Sequence, residues 1–456
     1  MAANDYESVM ARDNKIMKKA KFSVVFILAS LILVSGFSLV AVAQKGEIDL
    51  LLNRHPFTES MIPLIPEFEE ETGIEVGEVE ILSESQYFQK LVLQLSNENP
   101  KYDVVMAGNP HIFQYAPAGW LEPLDKYIED SPEWNIDDFY DTYINSVRWD
   151  LEPGHPTGTG STWAIPVNTE SHLLHMRYDL LQKYDLEIPS TWDEVYEAAK
   201  LVNEEEPNIV GFAHRGTKSW ATIHPGYMAG FSSWGGQDFD KNLNVEINSE
   251  AGVRWTKYFM KLVKDAGSDG WPSTTWYDGK EQFAAENSFI WFDADHQAET
   301  FEEEDSAIKG KVAYVVPPSG PETGYTKTNL WTWNLAMNAA SDNKSAAWEF
   351  IRWASSKDVL LATVPEKNIL PPRKSVWNHP VTINYTEDWG VDETPYREVV
   401  NEMRKKAKVR WTPLPITPRV GDRWAQALQE IYAGKSVEKA LDQAAKDISE
   451  MVKEYK

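Results

Sequence analysis

From Ile48 onward the chain switches repeatedly between short apolar runs and stretches whose apolar residues recur three and four apart. That alternation restricts it to α/β layering, with helices laid over sheets. Ile48 to Leu52, Ile74 to Ile81, Tyr102 to Met106, Ala164 to Val167, His172 to Met176, Phe289 to Phe292, Val312 to Val316 and Leu330 to Met337 read as strands. Phe88, Leu91, Val92 and Leu95 share one face of a helix over 85–97, and Gly73 fits the position just past a helix end. Thr191-Trp192-Asp193-Glu194 is a capping box that opens a helix through Val202. Further helices are expected over Ser249 to Asp265, over Ala346 to Ala354, and in the tail, where Trp424, Leu428, Ile431 and Tyr432 are spaced by three and four. Proline and glycine cluster at 153–160 and 317–324, the expected crossings between two lobes.

The amino terminus reads as an address. Lys18, Lys19 and Lys21 precede an apolar stretch from Phe22 to Val42, and Ala41-Val42-Ala43 is a small-residue cleavage signature ahead of Gln44. The stretch matches the ~20 residues that span a bilayer, so an uncleaved anchor is the competing reading. Ser23, Ser30, Ser35, Gly36 and Ser38 dilute it, and the Ala-Val-Ala end favours cleavage. The chain then holds 1–43 as a signal peptide and is exported to a periplasm. It has no cysteine, so a lipid anchor on cysteine, a disulfide scaffold, a cysteine nucleophile and any thiolate-held metal are excluded.

Charge narrows the partners. The whole sequence carries −26, and the five basic and three acidic residues of 1–43 leave −28 on the remainder. A phosphate backbone or anionic lipid surface would need a local basic patch against that field, and none is visible. No nucleic acid partner is expected.

Catalytic patterns are missing. There is no G-x-S-x-G elbow, P-loop or H-E-x-x-H, and Gly158-Thr159-Gly160 lacks the third glycine of a dinucleotide fingerprint. His172 and His175 would face opposite sides of a strand, which argues against shared metal ligation. No metal and no cofactor are expected. What the sequence does offer is 19 tryptophans, and a polar or aromatic residue at the exit of strand after strand. Trp120, Trp192, Trp255, Trp348 and Trp353 sit at helical or motif positions and read as core or scaffold.

In order along the chain come Ile74-Glu75-Val76 after Glu-Glu-Thr-Gly, Tyr102-Asp103-Val104-Val105, Ala118-Gly119-Trp120-Leu121-Glu122-Pro123-Leu124, Pro189 to Glu194, and Ala346 to Trp353. Together these resemble the family 1 extracellular solute-binding proteins of ABC sugar importers, over nearly all of 47–456. The resemblance implies a two-lobed periplasmic-binding-protein clamshell of type II, with a ligand cleft between the lobes. It implies a monomer that docks on ABC permease subunits, delivers a neutral sugar or polyol, and breaks no bond. The lobes are expected to be discontinuous, the first from 44–158 and 312–360, the second from 159–311 and 361–456.

Positions matching the family's ligand loops are His55, Asn109, Glu170, Trp291, Asp293 and Trp333; Trp234, Trp276 and Trp331 are further aromatic candidates, and Arg373 and Arg410 are placed by loop location. The chemistry suits a sugar, whose C–H faces stack on aromatic rings while its hydroxyls pair with carboxylates and amides. Two other readings stay open. An aromatic cage would also take a quaternary amine, and a pair of carboxylates could cleave a glycosidic bond.

Overall fold

The computed structural model describes residues 46–97 and 99–456; the signal segment expected over 1–43 lies outside them. Two sheets organise the chain. The first is built from β1 (Glu47–Asn53), β2 (Glu75–Leu82), β3 (Val104–Gly108), β4 (Ile165–Glu170) and β9 (Trp331–Met337), in the order β2-β1-β3-β9-β4. The second holds β5 (His172–Arg177), β6 (Val210–Ala213), β7 (Ser288–Ala294) and β8 (Val312–Val315), in the order β8-β5-β7-β6. β1 runs parallel to β2 and β3, while β9 runs antiparallel between β3 and β4. β7 is antiparallel to β5 and parallel to β6. Every residue of β3, β4, β5, β7, β8 and β9 is buried, as expected of strands covered by helices on both faces.

The helices form where the local chemistry favours them. Glu84–Leu95 buries Leu91 and Leu95 against the first sheet. Gly73 closes the preceding helix at φ 69°, a left-handed position that costs glycine nothing. Trp192–Glu205 starts at a complete capping box, with the Thr191 side chain accepting from Glu194 N–H and the Glu194 carboxylate accepting from Thr191 N–H. Glu250–Ala266, Thr417–Tyr432 and Val437–Val452 cover the second sheet and bury the large apolar cluster built around Trp192, Trp255 and Trp424. No helix among the described residues is long and apolar enough to cross a membrane.

Crossings between the two halves fall at other places than the glycine and proline clusters mark. The loop 153–160 joins the antiparallel pair Arg148–Trp149 and Ser161–Thr162, and Trp163 N–H donates to Val147 O, so the chain returns to the half it left. The first crossing is instead Glu170–Ser171–His172, where an extended segment leaves the first sheet as β4 and enters the second as β5. Strand β8, placed by the sequence reading in the first lobe, pairs with β5 in the second sheet. The second crossing therefore lies between Val315 and Trp331, not at 311/312. Val364 and Val376 still pack in the first cluster, which carries the first half beyond residue 360.

Candidate functional site

Strand ends from both sheets converge on one narrow space lined by His55, Glu84, Glu170, Arg215, His224, Trp276, His296, Gln297, Trp331 and Trp333. The space between these side chains is barely wide enough for a water molecule. His55 follows β1 as the cap of helix Pro56–Met61, Glu170 ends β4, Arg215 follows β6, and His296 and Gln297 follow β7. This is the position, beyond the carboxyl ends of strands, where open α/β sheets take ligands.

Aromatic rings make one wall. Trp331 and Trp333 are two apart on β9 and so share a face. Trp331 stacks on Trp220 at 5.0 Å between centroids and 7° between planes, and Trp333 lies nearly parallel to Phe88 at 5.9 Å. Gly108 at the end of β3 makes the first stack possible, since a Cβ there would sit 2.2 Å from the Trp331 ring. Trp276 is the first residue of helix Trp276–Ala284, whose start is fixed by a second capping box between Thr275 and Asp278.

Charged groups make the other wall. Arg215 grips Asp293 with two parallel bonds, Nε to Oδ2 at 2.7 Å and Nη2 to Oδ1 at 2.6 Å, and both residues are buried. Burial works to raise the Asp293 carboxyl, but the charge and hydrogen bonds of Arg215 outweigh it and hold Asp293 below its ordinary range. Gln297 Nε2 donates to Asp293 Oδ1, and Gln297 Oε1 accepts from Trp291 Nε1. Arg215 Nη1 donates to His224 Nε2 at 3.0 Å. A continuous hydrogen-bonded row thus runs Trp291, Gln297, Asp293, Arg215, His224. Glu170 accepts from Trp333 Nε1 at 3.1 Å; burial, reinforced by Asp293 and Asp295 against Arg215, pushes its carboxyl up to about 8. Burial also raises Glu84. It lowers the imidazolium of His55 to about 3 and drives those of His224 and His296 well down, so these rings are neutral at pH 7. With Arg215 cancelled by Asp293, the wall presents dipoles rather than a net cation.

Of the residues expected from sequence, the structure brings His55, Glu170, Trp276, Trp331 and Trp333 to this space. Asp293 stands one bond behind it, through Arg215. Trp291 is a correction: it is fully buried, its indole ring lies against Gly279, and it packs with Leu173, Phe283 and Phe301. Four others lie elsewhere. Asn109 donates to Leu330 O. Trp234 packs on Trp255 and Tyr258. Arg373 sits over the Trp134 and Phe139 rings and donates to the carbonyls of Trp134, Asn135 and Ser355. Arg410 donates to Thr328 O and Lys406 O beside the 153–160 loop. Sequence reasoning missed Glu84, Arg215, His224, His296 and Gln297. Arg215 was findable, because it stands two residues past strand β6, itself overlooked.

His55, Glu170 and His296 also offer ligand-type atoms within 4.8 Å of one another, a spacing that would suit a divalent cation. The His55 Nδ1 lone pair, however, accepts from Phe57 N–H at 3.2 Å. In a neutral ring the proton is then on Nε2, and that nitrogen is a donor instead of a ligand.

Over residues 55–360 the chain matches the family of bacterial extracellular solute-binding proteins. It is 33% identical to an erythritol/L-threitol-binding protein of Mycolicibacterium smegmatis over 89% of this chain and 85% of that one. The chain belongs to the bacterial extracellular solute-binding protein family. A mannitol-binding protein of Pseudomonas aeruginosa is 24% identical over 75% of each chain. Two solved solute-binding proteins of ABC transporters share the two-domain fold. One, from Agrobacterium radiobacter in complex with ribitol, has a TM-score of 0.79 at 21% identity and covers 89% of this chain and 98% of its own. The other, from Agrobacterium vitis with bound D-mannitol, has a TM-score of 0.76 at 23% identity and covers 90% and 99%.

Proposed function

We propose that this solute-binding protein captures a short neutral polyol or a monosaccharide and delivers it to the permease of an ABC importer, without breaking a bond. The observation that carries the reading is the cleft wall itself: aromatic faces, neutral histidines and a raised carboxyl, with its one arginine already paired to Asp293. Such a wall suits uncharged hydroxyls, each able to donate and accept. The erythritol, threitol and mannitol binders among the relatives support a small solute over an oligosaccharide. The Glu170 carboxyl, raised to about 8 and so largely protonated at pH 7, speaks against a quaternary amine as the preferred cargo. Export to the periplasm with cleavage after Ala43, and a monomeric mature chain, complete the proposal; the intact mass of the secreted protein tests the cleavage.

The test of function is a thermal-shift panel of erythritol, threitol, ribitol, mannitol, tagatose and maltose, with products followed in the same tubes. Stabilisation by a short alditol with no product is expected. Turnover, or stabilisation by maltose alone, would overturn the reading.

A further inference from the structure

Two histidines of the cleft have their protons placed by neighbours that can only donate. A neutral imidazole carries one N–H and one lone pair. At His55 the lone pair is on Nδ1, because that atom caps helix Pro56–Met61 by accepting from Phe57 N–H. At His224 it is on Nε2, because that atom faces Arg215 Nη1, which has no lone pair to offer. The remaining nitrogens, His55 Nε2 and His224 Nδ1, must carry the protons. Both are buried, and neither has a partner among the described residues. A buried N–H left without a partner is costly, so two at one site ask for an occupant that satisfies them.

We propose that His55 Nε2–H and His224 Nδ1–H are fixed donors that read hydroxyl oxygens of the ligand, with a Glu170 carboxyl oxygen accepting a hydrogen bond from a hydroxyl in return. The idea rests on the polyol reading and sharpens it. A hydroxyl can accept from an imidazole N–H and donate to a carboxyl oxygen at once, whereas an ether or a deoxy carbon can do one of these or neither. The cleft therefore selects for free hydroxyls at the two histidine positions. It also follows that the His55, Glu170 and His296 trio takes no divalent cation while the cap is intact, since the His55 lone pair is already committed to Phe57.

His55→Asn separates the two jobs of the ring. Asparagine is a strong N-cap and its Oδ1 can accept from Phe57 N–H, but its side chain is too short to replace Nε2–H in the cleft. The variant should melt as the parent does and bind erythritol at least tenfold more weakly. Nitrogen NMR of the histidine rings in the free parent should place the protons on Nε2 of His55 and Nδ1 of His224, and a Zn²⁺ titration should leave those signals in place. Parent-like erythritol binding by a normally folded His55→Asn variant would sink the proposal. So would a proton on His55 Nδ1. If the parent binds none of the panel, the functional reading fails, while the ring signals still decide where the protons are.

Discussion

Trp291 and Trp333 stand on strands buried on both faces, yet they are not equivalent. Trp333→Ala or Trp331→Ala should cost on the order of 2–4 kcal/mol of binding, because each removes a wall of the cleft. Trp291→Ala should instead cost about 3–5 kcal/mol of stability, since it empties core volume among Leu173, Phe283 and Phe301. Measuring urea unfolding and ligand affinity on each variant checks both; a Trp291 variant that unfolds like the parent but loses its ligand would reverse the assignment. The sequence reading set Trp331 and Trp333 at strand exits; they stand instead at the start of β9, which runs antiparallel to β3 and β4 and so brings its first residues to the carboxyl ends of both. The same reading grouped Trp291 with Asp293, which shares its face of β7, because a strand buried along its whole length carries no polar alternation to show that Trp291 lies deeper than the strand's end.

At the scale of the element, caps decide how firmly the site residues are held. Helix Trp276–Ala284 begins with the Thr275 and Asp278 capping box and presents Trp276 as its first residue. Thr275→Ala should lower stability by about 1 kcal/mol. It should also weaken binding several-fold, because the first turn that sets Trp276 loosens; unfolding and affinity on the one variant would show whether the two effects travel together. Elements with a cap or an apolar stripe, such as Trp192–Glu205 and Glu84–Leu95, were legible in sequence. The crossing at Glu170–Ser171–His172 was not. Extended backbone that changes sheets needs neither glycine nor proline, and Ser171 is held by Asp295, far off in sequence.

The whole molecule carries an unusual proton balance. Burial lowers His55, His111, His172 and His175 to about 3 and His214 to about 4, against 6.5 for an exposed ring. As pH falls from 6.5 towards 3, the unfolded chain takes up protons that the folded one refuses, so stability drops through that window. Glu170, raised to about 8, and Asp295, raised by burial to about 7, act in the opposite sense, their contribution being complete at low pH and lost as pH rises through those values. Burial also raises Glu84, Asp238, Glu299, Glu302 and Asp422, but these have lost part of their contribution below pH 5, whereas the lowered rings, His224 and His296 among them, give up theirs through the whole fall from pH 6.5 to 5. The urea midpoint should therefore be lower at pH 5 than at pH 7, and an equal or higher midpoint at pH 5 would show that the rings are not held neutral.

The antiparallel return of β9 between β3 and β4 has a bearing on how the chain is made. A ribosome that has finished residues 46–330 has produced every other strand of the first sheet, but β3 and β4 then have no neighbour on their inner edges. Pairs such as Trp333 with Gly108 join segments far apart in sequence, and contacts of that range form slowly. The first half stays incomplete until synthesis passes Met337. Until then that half has no closed sheet with which to resist being drawn out straight.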